Sequence, residues 1–109
     1  MKIVTVKYTT RDAYAADNRR NILAVVNELK AIGHPGIRYS AYVFSDGKTF
    51  MHFDHFENEA AHQFLQELAS FKKFASELWN SKLEAEPKLD LLTVAGSTEP
   101  FLSKAEFTS

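Results

Sequence analysis

Apolar and polar positions alternate over residues 2–10, which predicts that the chain opens with a β-strand. Val4, Val6 and Tyr8 share one face of this strand. The spacing of apolar residues then lengthens to three and four, which predicts an amphipathic helix that presents one apolar stripe. The apolar positions of this helix are Ala15, Ile22, Val25, Val26, Leu29 and Ile32.

The two ends of the helix carry different signals. Asp12 and Asp17 are both suited to cap the N-terminus, and the sequence does not choose between them. Gly33 followed by Pro35 predicts the C-terminus, because Gly tolerates the left-handed cap conformation and Pro cannot continue a helix.

A β-hairpin is predicted from residues 37–44 and 49–56, which flank the sequence Ser-Asp-Gly-Lys. Asp46-Gly47 favours a two-residue turn in which both central residues have positive φ. That turn would pair Val43 with Phe50 and, further along, Tyr39 with Asp54.

A second helical region is predicted to begin near Asn58, a good cap residue, with Ser70 as a candidate interruption that would divide it in two. Pro87 is predicted to end this region, and residues 88–95 are predicted to form the last strand. Residues 97–109 form a polar tail. The order βαββαβ predicts one ferredoxin-like α+β domain over residues 1–109, with an antiparallel sheet and two helices on one face.

Both faces of the predicted hairpin carry large apolar residues, although two helices can cover only one face of a sheet. An uncovered face of this composition exceeds the apolar patch that a monomer normally exposes. The simplest solution is a homodimer through sheet–sheet packing, which would form a dimeric α/β barrel. The alternative is that the tail folds over the open face. The apolar residues in question are Tyr42, Phe44, Met51 and Phe53 on one face and Ile37, Tyr39, Val43, Phe50 and Phe56 on the other.

Composition excludes several classes of function. The 109 residues carry a net charge of -1, whereas nucleic-acid and anionic-membrane surfaces need a basic excess, so neither partner is expected. The chain has no Cys, and therefore no disulfide, thiolate metal site or cysteine nucleophile. No apolar run approaches the ~18 residues of a membrane span, and the N-terminus does not have the pattern of a signal peptide. A cytoplasmic location is therefore expected.

The run DGKTFMHFDHFENEAAHQFLQELASFKKFASEL, followed by Pro87 and a strand that ends Val-Ala-Gly-Ser, resembles the antibiotic biosynthesis monooxygenase-like family. The resemblance implies a dimeric α/β barrel built from ferredoxin-like protomers. It also implies a small oxygenase that acts on polyketide or quinol-like aromatic molecules with neither a metal nor another cofactor.

The quinol-oxygenase-like pattern of that family can be placed on this chain position by position. Asp54, Phe56 and Ala61 match its acidic residue in the third strand, the aromatic residue two positions later and the small residue early in the second helix. The histidine of the pattern falls on Leu65, and His62 lies one turn earlier. Heme-degrading relatives have an Asn in the first strand that this chain lacks, so heme binding is the weakest of the functions that the resemblance implies.

The predicted register brings together three polar side chains that could perform catalysis. Tyr39 faces Asp54 across the hairpin, and His52 lies on the same face. His52 is the candidate base that removes a phenolic proton, because the ordinary pKa of histidine lies near ~6.5. Asp54 and Tyr39 would orient His52 or the substrate. Alternatively, the three groups satisfy one another inside a buried sheet.

Three further residues are candidates for substrate binding: Phe74, Trp79 and His62. Phe74 and Trp79 lie off the main apolar stripe of the second helical region, where they could wall a pocket. A metal site is not expected, because His52 and His55 point to opposite sides of one strand. The leading hypothesis is a cofactor-independent monooxygenase-like protein, and the alternative is a non-enzymatic small-ligand-binding or structural homodimer of the same fold.

Overall fold

The computed structural model describes residues 1–99. Its elements follow the predicted βαββαβ order, with the second helical region divided in two. They are β1 (Lys2–Thr9), α1 (Asp12–Ile32), β2 (Ile37–Val43), β3 (Thr49–Phe56), α2 (Glu59–Glu67), α3 (Ala69–Asn80) and β4 (Ala85–Leu92). The four strands form one sheet in the order β2-β3-β1-β4, and each neighbouring pair is antiparallel. The ferredoxin-like α+β prediction is confirmed, and the sheet is open. Most of the predicted tail lies outside the described residues.

The hairpin has the predicted register but a different turn. Val43 pairs with Phe50 and Tyr39 with Asp54. Of the two central residues, Gly47 alone has a positive φ, at 76°. The Asp46 carboxylate accepts hydrogen bonds from the backbone N–H groups of Lys48 at 3.0 Å and Thr49 at 2.8 Å. The prediction of a two-residue turn is therefore wrong. The Asp46 carboxylate accepts from the backbone N–H groups of the turn, so the turn forms without a second residue of positive φ.

Helix termini show which end signals the chain uses. Asn58 caps α2, since its Oδ1 accepts a hydrogen bond from the backbone N–H of Ala61 at 2.9 Å. Gly33 ends α1 with φ 68° and donates its N–H to the carbonyl of Leu29. At the start of α1, Arg11 occupies the cap position without a side-chain hydrogen bond. Neither candidate aspartate therefore caps α1, because the helix begins at Asp12 itself.

The predicted interruption at Ser70 is displaced by two residues. Leu68 is extended, with φ -66° and ψ 136°, and separates α2 from α3. Ser70 lies in the first turn of α3, where backbone N–H groups lack partners within the helix. Its N–H and its hydroxyl both donate to Glu28 of α1, the hydroxyl at 2.6 Å. Ser70 therefore connects α3 to α1 through hydrogen bonds and does not interrupt the helix.

Pro87 lies inside β4, so its predicted role as the end of the helical region is wrong. The helix ends at Asn80, and Lys82 follows with a positive φ of 61°. The pairing of β1 with β4 shifts register between Lys7, which pairs with Lys88, and Thr9, which pairs with Ala85. Pro87 falls at this irregularity on an edge strand, where a missing N–H is tolerated.

All three helices pack on one face of the sheet. The core between the two layers contains Val4, Tyr8, Ile22, Val25, Phe50, Phe56, Ala61, Leu65, Phe74 and Leu78. The helices do not reach over β4, whose residues are all exposed. Within residues 1–99, no helix is long and apolar enough to cross a membrane.

Candidate functional site

Five polar side chains meet inside the core, and we call them the buried cluster: Tyr8, Asn18, Tyr39, His52 and Asp54. They come from β1, α1, β2 and β3, and each projects from the layer in which it lies toward the other layer. On β3, alternation places His52 and Asp54 on the helix-facing side, between the core residues Phe50 and Phe56. The pairs of His52 across the strands are Val6 and Ala41, two small side chains that leave room for the imidazole.

Hydrogen bonds join four of the five residues. The Asn18 amide Nδ2 donates to the Tyr8 hydroxyl at 2.8 Å, and that hydroxyl lies 2.7 Å from His52 Nε2. On the other side of the ring, His52 Nδ1 lies 3.5 Å from the hydroxyl of Tyr39. Both ring nitrogens of His52 therefore have a phenol neighbour. Among the described residues, Asp54 Oδ1 and Asn18 Oδ1 are buried without a hydrogen-bond partner.

Burial shifts the proton affinities of these groups in opposite directions. Desolvation lowers the pKa of His52 to about 4, so the imidazole is neutral at pH 7. Desolvation also raises the pKa of Asp54 to about 7, which places its titration close to neutrality. Burial raises the pKa of Tyr39 and of Tyr8, and both phenols keep their protons. The cluster thus contains a neutral base and a carboxyl group that gains or loses a proton near pH 7.

A cleft of about 270 Å³ reaches the cluster at Tyr39. It lies between the C-terminal end of α1 and the start of β2. Its walls are mostly apolar, and Lys30 and His34 add polar groups. The cleft is lined by Val26, Leu29, Lys30, Gly33, His34, Ile37 and Tyr39. Tyr39 is therefore a cluster residue that a small molecule in this cleft could contact.

The structure brings four of the six predicted site residues together. Tyr39, His52 and Asp54 lie in the cluster, and the buried ring of Phe74 is centred 5.3 Å from that of His52. His62 stacks on Phe56, with ring centroids 4.4 Å apart, at the start of α2. Trp79 is 70% exposed on α3 and is not part of the core that surrounds the cluster.

Sequence reasoning missed two members of the cluster, although both carry a signal. Tyr8 shares a strand face with Val4 and Val6, and it was interpreted as a simple apolar position. Asn18 precedes Ile22 and Val25 by four and seven residues, which places an amide within the apolar stripe of α1. A polar residue at a stripe position must find a hydrogen-bond partner in the core, and the partner of Asn18 is Tyr8.

The described residues contain no group of three or more His, Asp or Glu side chains that could hold a metal ion. The cluster brings together one imidazole and one carboxyl, and its other members are two phenols and an amide. Phenols and amides suit hydrogen bonding and proton transfer more than metal binding. The arrangement therefore combines a phenol at the edge of the cleft with a buried imidazole and a buried carboxyl, groups that can exchange protons.

Comparison with known proteins gives matches of structure. No family model matches the sequence, and no curated protein sequence matches it. A solved structure from Mycobacterium tuberculosis is 15% identical, with a TM-score of 0.73 over 90% of this chain and 98% of that one. A structure from Nitrosomonas europaea is 11% identical, with a TM-score of 0.74 over 88% of this chain and 100% of that one.

A structure from Deinococcus radiodurans is 14% identical, with a TM-score of 0.70 over 93% of this chain and 99% of that one. The Nitrosomonas and Deinococcus proteins carry the provisional name antibiotic biosynthesis monooxygenase. At these identities the matches show the fold. They confirm, at the level of the fold, the resemblance on which the sequence-based prediction rests.

Proposed function

We propose, from the fold shared with structures named antibiotic biosynthesis monooxygenase, that this chain is a cofactor-independent monooxygenase-like protein for a small aromatic or quinol-like molecule. The observation that carries the proposal is the buried cluster. A carboxyl with a pKa of about 7 and a neutral imidazole lie in an apolar core, and Tyr39 links them to a cleft. Perturbed titratable groups beside a cleft are typical of catalytic sites.

The reaction needs a base and dioxygen as co-reactant. The base removes a phenolic proton from a quinol, and the resulting electron-rich anion forms a C–O bond to dioxygen and gives a ring hydroperoxide. Loss of water from the hydroperoxide leaves a hydroxyquinone. One oxygen atom enters the product and the other leaves as water, and the quinol supplies all four electrons.

Asp54 suits the role of base better than His52, to which the sequence analysis assigned it. A general base works best when its pKa lies near the working pH. Burial brings the pKa of Asp54 to about 7 and takes that of His52 down to about 4. In this proposal Asp54 accepts the proton, and Tyr39, whose hydroxyl contacts His52, positions the oxygen of the substrate.

Oxygen uptake with a panel of hydroquinones tests the proposal. We expect uptake by the parent and its loss in Asp54→Asn, with an exposed carboxylate of β4, Asp90→Asn, as the matched control that retains activity. Uptake should rise with pH through an apparent pKa near 7, because the ionised carboxylate is the active form. A rise centred near 4 would assign the base to His52, and no uptake with any quinol would refute the enzymatic proposal.

A second candidate function is a non-enzymatic ligand-binding dimer of the same fold. The observation that favours it is that both ring nitrogens of His52 already have partners within the protein. A cluster that satisfies itself can act as a polar feature of the core without chemistry. Binding of a hydroquinone without oxygen uptake would support this function over the enzymatic one.

We also propose that the partner is a second copy of this chain, packed on the open sheet face. Tyr42 is 60% exposed and Phe44 44% exposed on that face, and Met51 and Phe53 are half-buried beside them. A cavity of about 440 Å³ lies among these residues, and a second of the same size is lined by residues of all four strands. The chain after β4 contributes Thr93, Val94 and Gly96 to the second cavity. An apolar face of this kind favours association.

Sedimentation at micromolar concentration tests the dimer. We expect Tyr42→Lys to shift the protein to a single subunit, because a lysine ammonium would be desolvated at the interface. The matched control is Leu23→Lys, at a position on α1 that is 59% exposed, which should leave the dimer intact. A parent that sediments as one subunit contradicts the proposal.

A further inference from the structure

We propose that Tyr8 and Asn18 are positioning residues that hold His52 in its Nδ1–H tautomer and thereby make Tyr39 a hydrogen-bond donor to a ligand oxygen in the cleft. This inference deepens the proposed function and rests on it for the identity of the site. The tautomer itself follows from the hydrogen bonds of the buried cluster.

The hydrogen bond between Asn18 and Tyr8 can have only one direction. Asn18 Nδ2 can only donate, so the Tyr8 oxygen accepts at 2.8 Å. The single proton of that hydroxyl is then available to its other close neighbour, His52 Nε2, at 2.7 Å. The Tyr8 oxygen has a second lone pair that could accept from an Nε2–H, but the buried Tyr8 proton would then have no acceptor among the partners that the described residues provide. The Tyr8 proton therefore goes to Nε2, which makes Nε2 the unprotonated nitrogen of the ring.

The orientation of the Asn18 amide decides this direction. In the observed orientation one carbonyl oxygen, Asn18 Oδ1, is left without a partner. Rotating the amide by half a turn would turn Oδ1 toward Tyr8, and the Tyr8 proton would then be drawn to the amide and away from His52. The observed orientation, with Nδ2 2.8 Å from the Tyr8 hydroxyl, is the one that directs the Tyr8 proton to His52.

The tautomer of His52 determines the direction of its hydrogen bond with Tyr39. A neutral imidazole carries one proton, and because Nε2 accepts from Tyr8 that proton lies on Nδ1. Nδ1 faces the Tyr39 hydroxyl at 3.5 Å, a long contact that biases the hydroxyl without locking it. The Tyr39 oxygen accepts from Nδ1–H, so its own proton points away from the ring. In the opposite tautomer, Tyr39 would donate to Nδ1 and present only lone pairs to the cleft.

The chemical class of the ligand follows from the donor that Tyr39 presents. Tyr39 lines a cleft of about 270 Å³, and a phenol proton that is not committed to His52 suits a small molecule with a phenolate or carbonyl oxygen. Val26, Leu29 and Ile37 provide apolar walls for an aromatic ring, and the ammonium of Lys30 adds positive charge at the same cleft. The cleft is thus suited to a small aromatic anion whose oxygen lies against Tyr39.

The tautomer can be measured directly on the parent protein. Long-range ¹H–¹⁵N correlation spectra of ¹⁵N-histidine-labelled protein distinguish protonated from unprotonated ring nitrogens. We expect Nδ1–H for His52, and Nε2–H would overturn the inference. This measurement needs no oxygenase activity, so its outcome is separate from that of the oxygen-uptake experiment.

Variants test which residues set the tautomer. Asn18→Asp replaces the donor with an acceptor that takes the Tyr8 proton, and we expect His52 to change to Nε2–H. Asn18→Leu, which keeps the core apolar, should remove the preference of His52 for one tautomer. Tyr14→Phe, which removes another phenol of α1 outside the cluster, should leave the tautomer unchanged. An unaltered His52 spectrum in both Asn18 variants would refute the positioning role.

Ligand binding tests the last step with two probes, 4-nitrophenol and 4-nitrotoluene, which differ in the oxygen that Tyr39 would contact. We expect Tyr39→Phe to weaken binding of 4-nitrophenol about tenfold, as expected for the loss of a hydrogen bond to a charged oxygen. Binding of 4-nitrotoluene should be unchanged. Equal effects on the two probes, or none on 4-nitrophenol, would overturn the assignment of Tyr39 as the donor.

Discussion

The buried carboxyl of Asp54 and the buried imidazole of His52 should make the stability of the protein depend on pH in opposite directions. In the folded chain, burial raises the pKa of Asp54 from 3.8 to about 7 and lowers the pKa of His52 from 6.5 to about 4. Because the pKa values differ from those of the unfolded chain, each group makes the free energy of unfolding depend on pH. The two dependences have opposite signs.

The sign for Asp54 follows from which state holds the proton. Between pH 4 and pH 7 the folded state keeps the carboxyl protonated while the unfolded state has lost that proton, so stability falls as pH rises. Each pH unit of separation is worth ~1.4 kcal/mol, and the whole contribution is therefore about 4 kcal/mol. It is fully present below pH 4 and lost above pH 7.

The sign for His52 is reversed, because the unfolded state binds the proton more tightly. Its contribution is present above pH 6.5 and is lost as pH falls toward 4, with a total of about 3 kcal/mol. In the parent the two slopes largely cancel over this range. Asp54→Asn should therefore show a stability that rises by about 4 kcal/mol relative to the parent from pH 4 to pH 7, because the opposing contribution of Asp54 is absent.

Denaturant unfolding of the parent, Asp54→Asn and His52→Gln at half-unit steps of pH measures these slopes. Differences between variant and parent remove the contributions of all other titrating groups. His52→Gln should show the opposite slope, a fall of about 3 kcal/mol relative to the parent between pH 4 and pH 6.5, because the contribution of His52 is absent. Difference curves that stay flat would refute the reasoning, because they would mean that neither group changes pKa on folding.

Three other predictions follow from single contacts. Asn58→Ala should lower the free energy of unfolding by about 1 kcal/mol through loss of the α2 cap, whereas Asn27→Ala on the exposed side of α1 should not lower it. Gly33→Ala should lower the free energy of unfolding by ~1–2 kcal/mol, because Gly33 has a φ of 68° that alanine adopts only with strain. Steric contact does not contribute, since a Cβ at Gly33 would meet no atom within 4 Å. The control is Gly96→Ala, where a Cβ also meets no atom, and it should leave stability unchanged in the same denaturation assay. Trp79, the sole tryptophan, is 70% exposed, so acrylamide should quench its fluorescence nearly as well as that of a free indole; strong protection would contradict its placement.

The fold could be predicted from the sequence because the strongest patterns in the sequence, the spacings of apolar residues, are periodic. Alternation over β1 and β3 and the apolar stripe of α1 each involve many residues, so one exception does not change the interpretation. The hairpin register that pairs Tyr39 with Asp54 also followed from local sequence, since the turn fixes every pair behind it. The turn itself was predicted less well, because the bonds of the Asp46 carboxylate replace a backbone conformation that composition favours.

The candidate site was predicted only in part, since two of its three hydrogen bonds involve residues outside the hairpin. Tyr39, His52 and Asp54 come from one hairpin and could be placed together from sequence. Tyr8 and Asn18 come from β1 and α1, and their bonds depend on how α1 packs on the sheet. Trp79 was expected near the site because it lies off the apolar stripe of its helix, and that position in fact directs it outward.

The free edge of β4 affects how copies of this chain can meet. An edge strand with unpaired backbone groups is a template on which another strand can add. Pro87 has no N–H to offer such a strand, and the irregular pairing beside it bends the edge out of register. Lys88 and Asp90, which follow in the same strand, are charged and exposed, and an added strand would remove water from them at a cost in free energy. Extension of the sheet by strand addition at this edge is thereby disfavoured, and the proposed packing of two open faces would give a closed pair in place of an open-ended fibre.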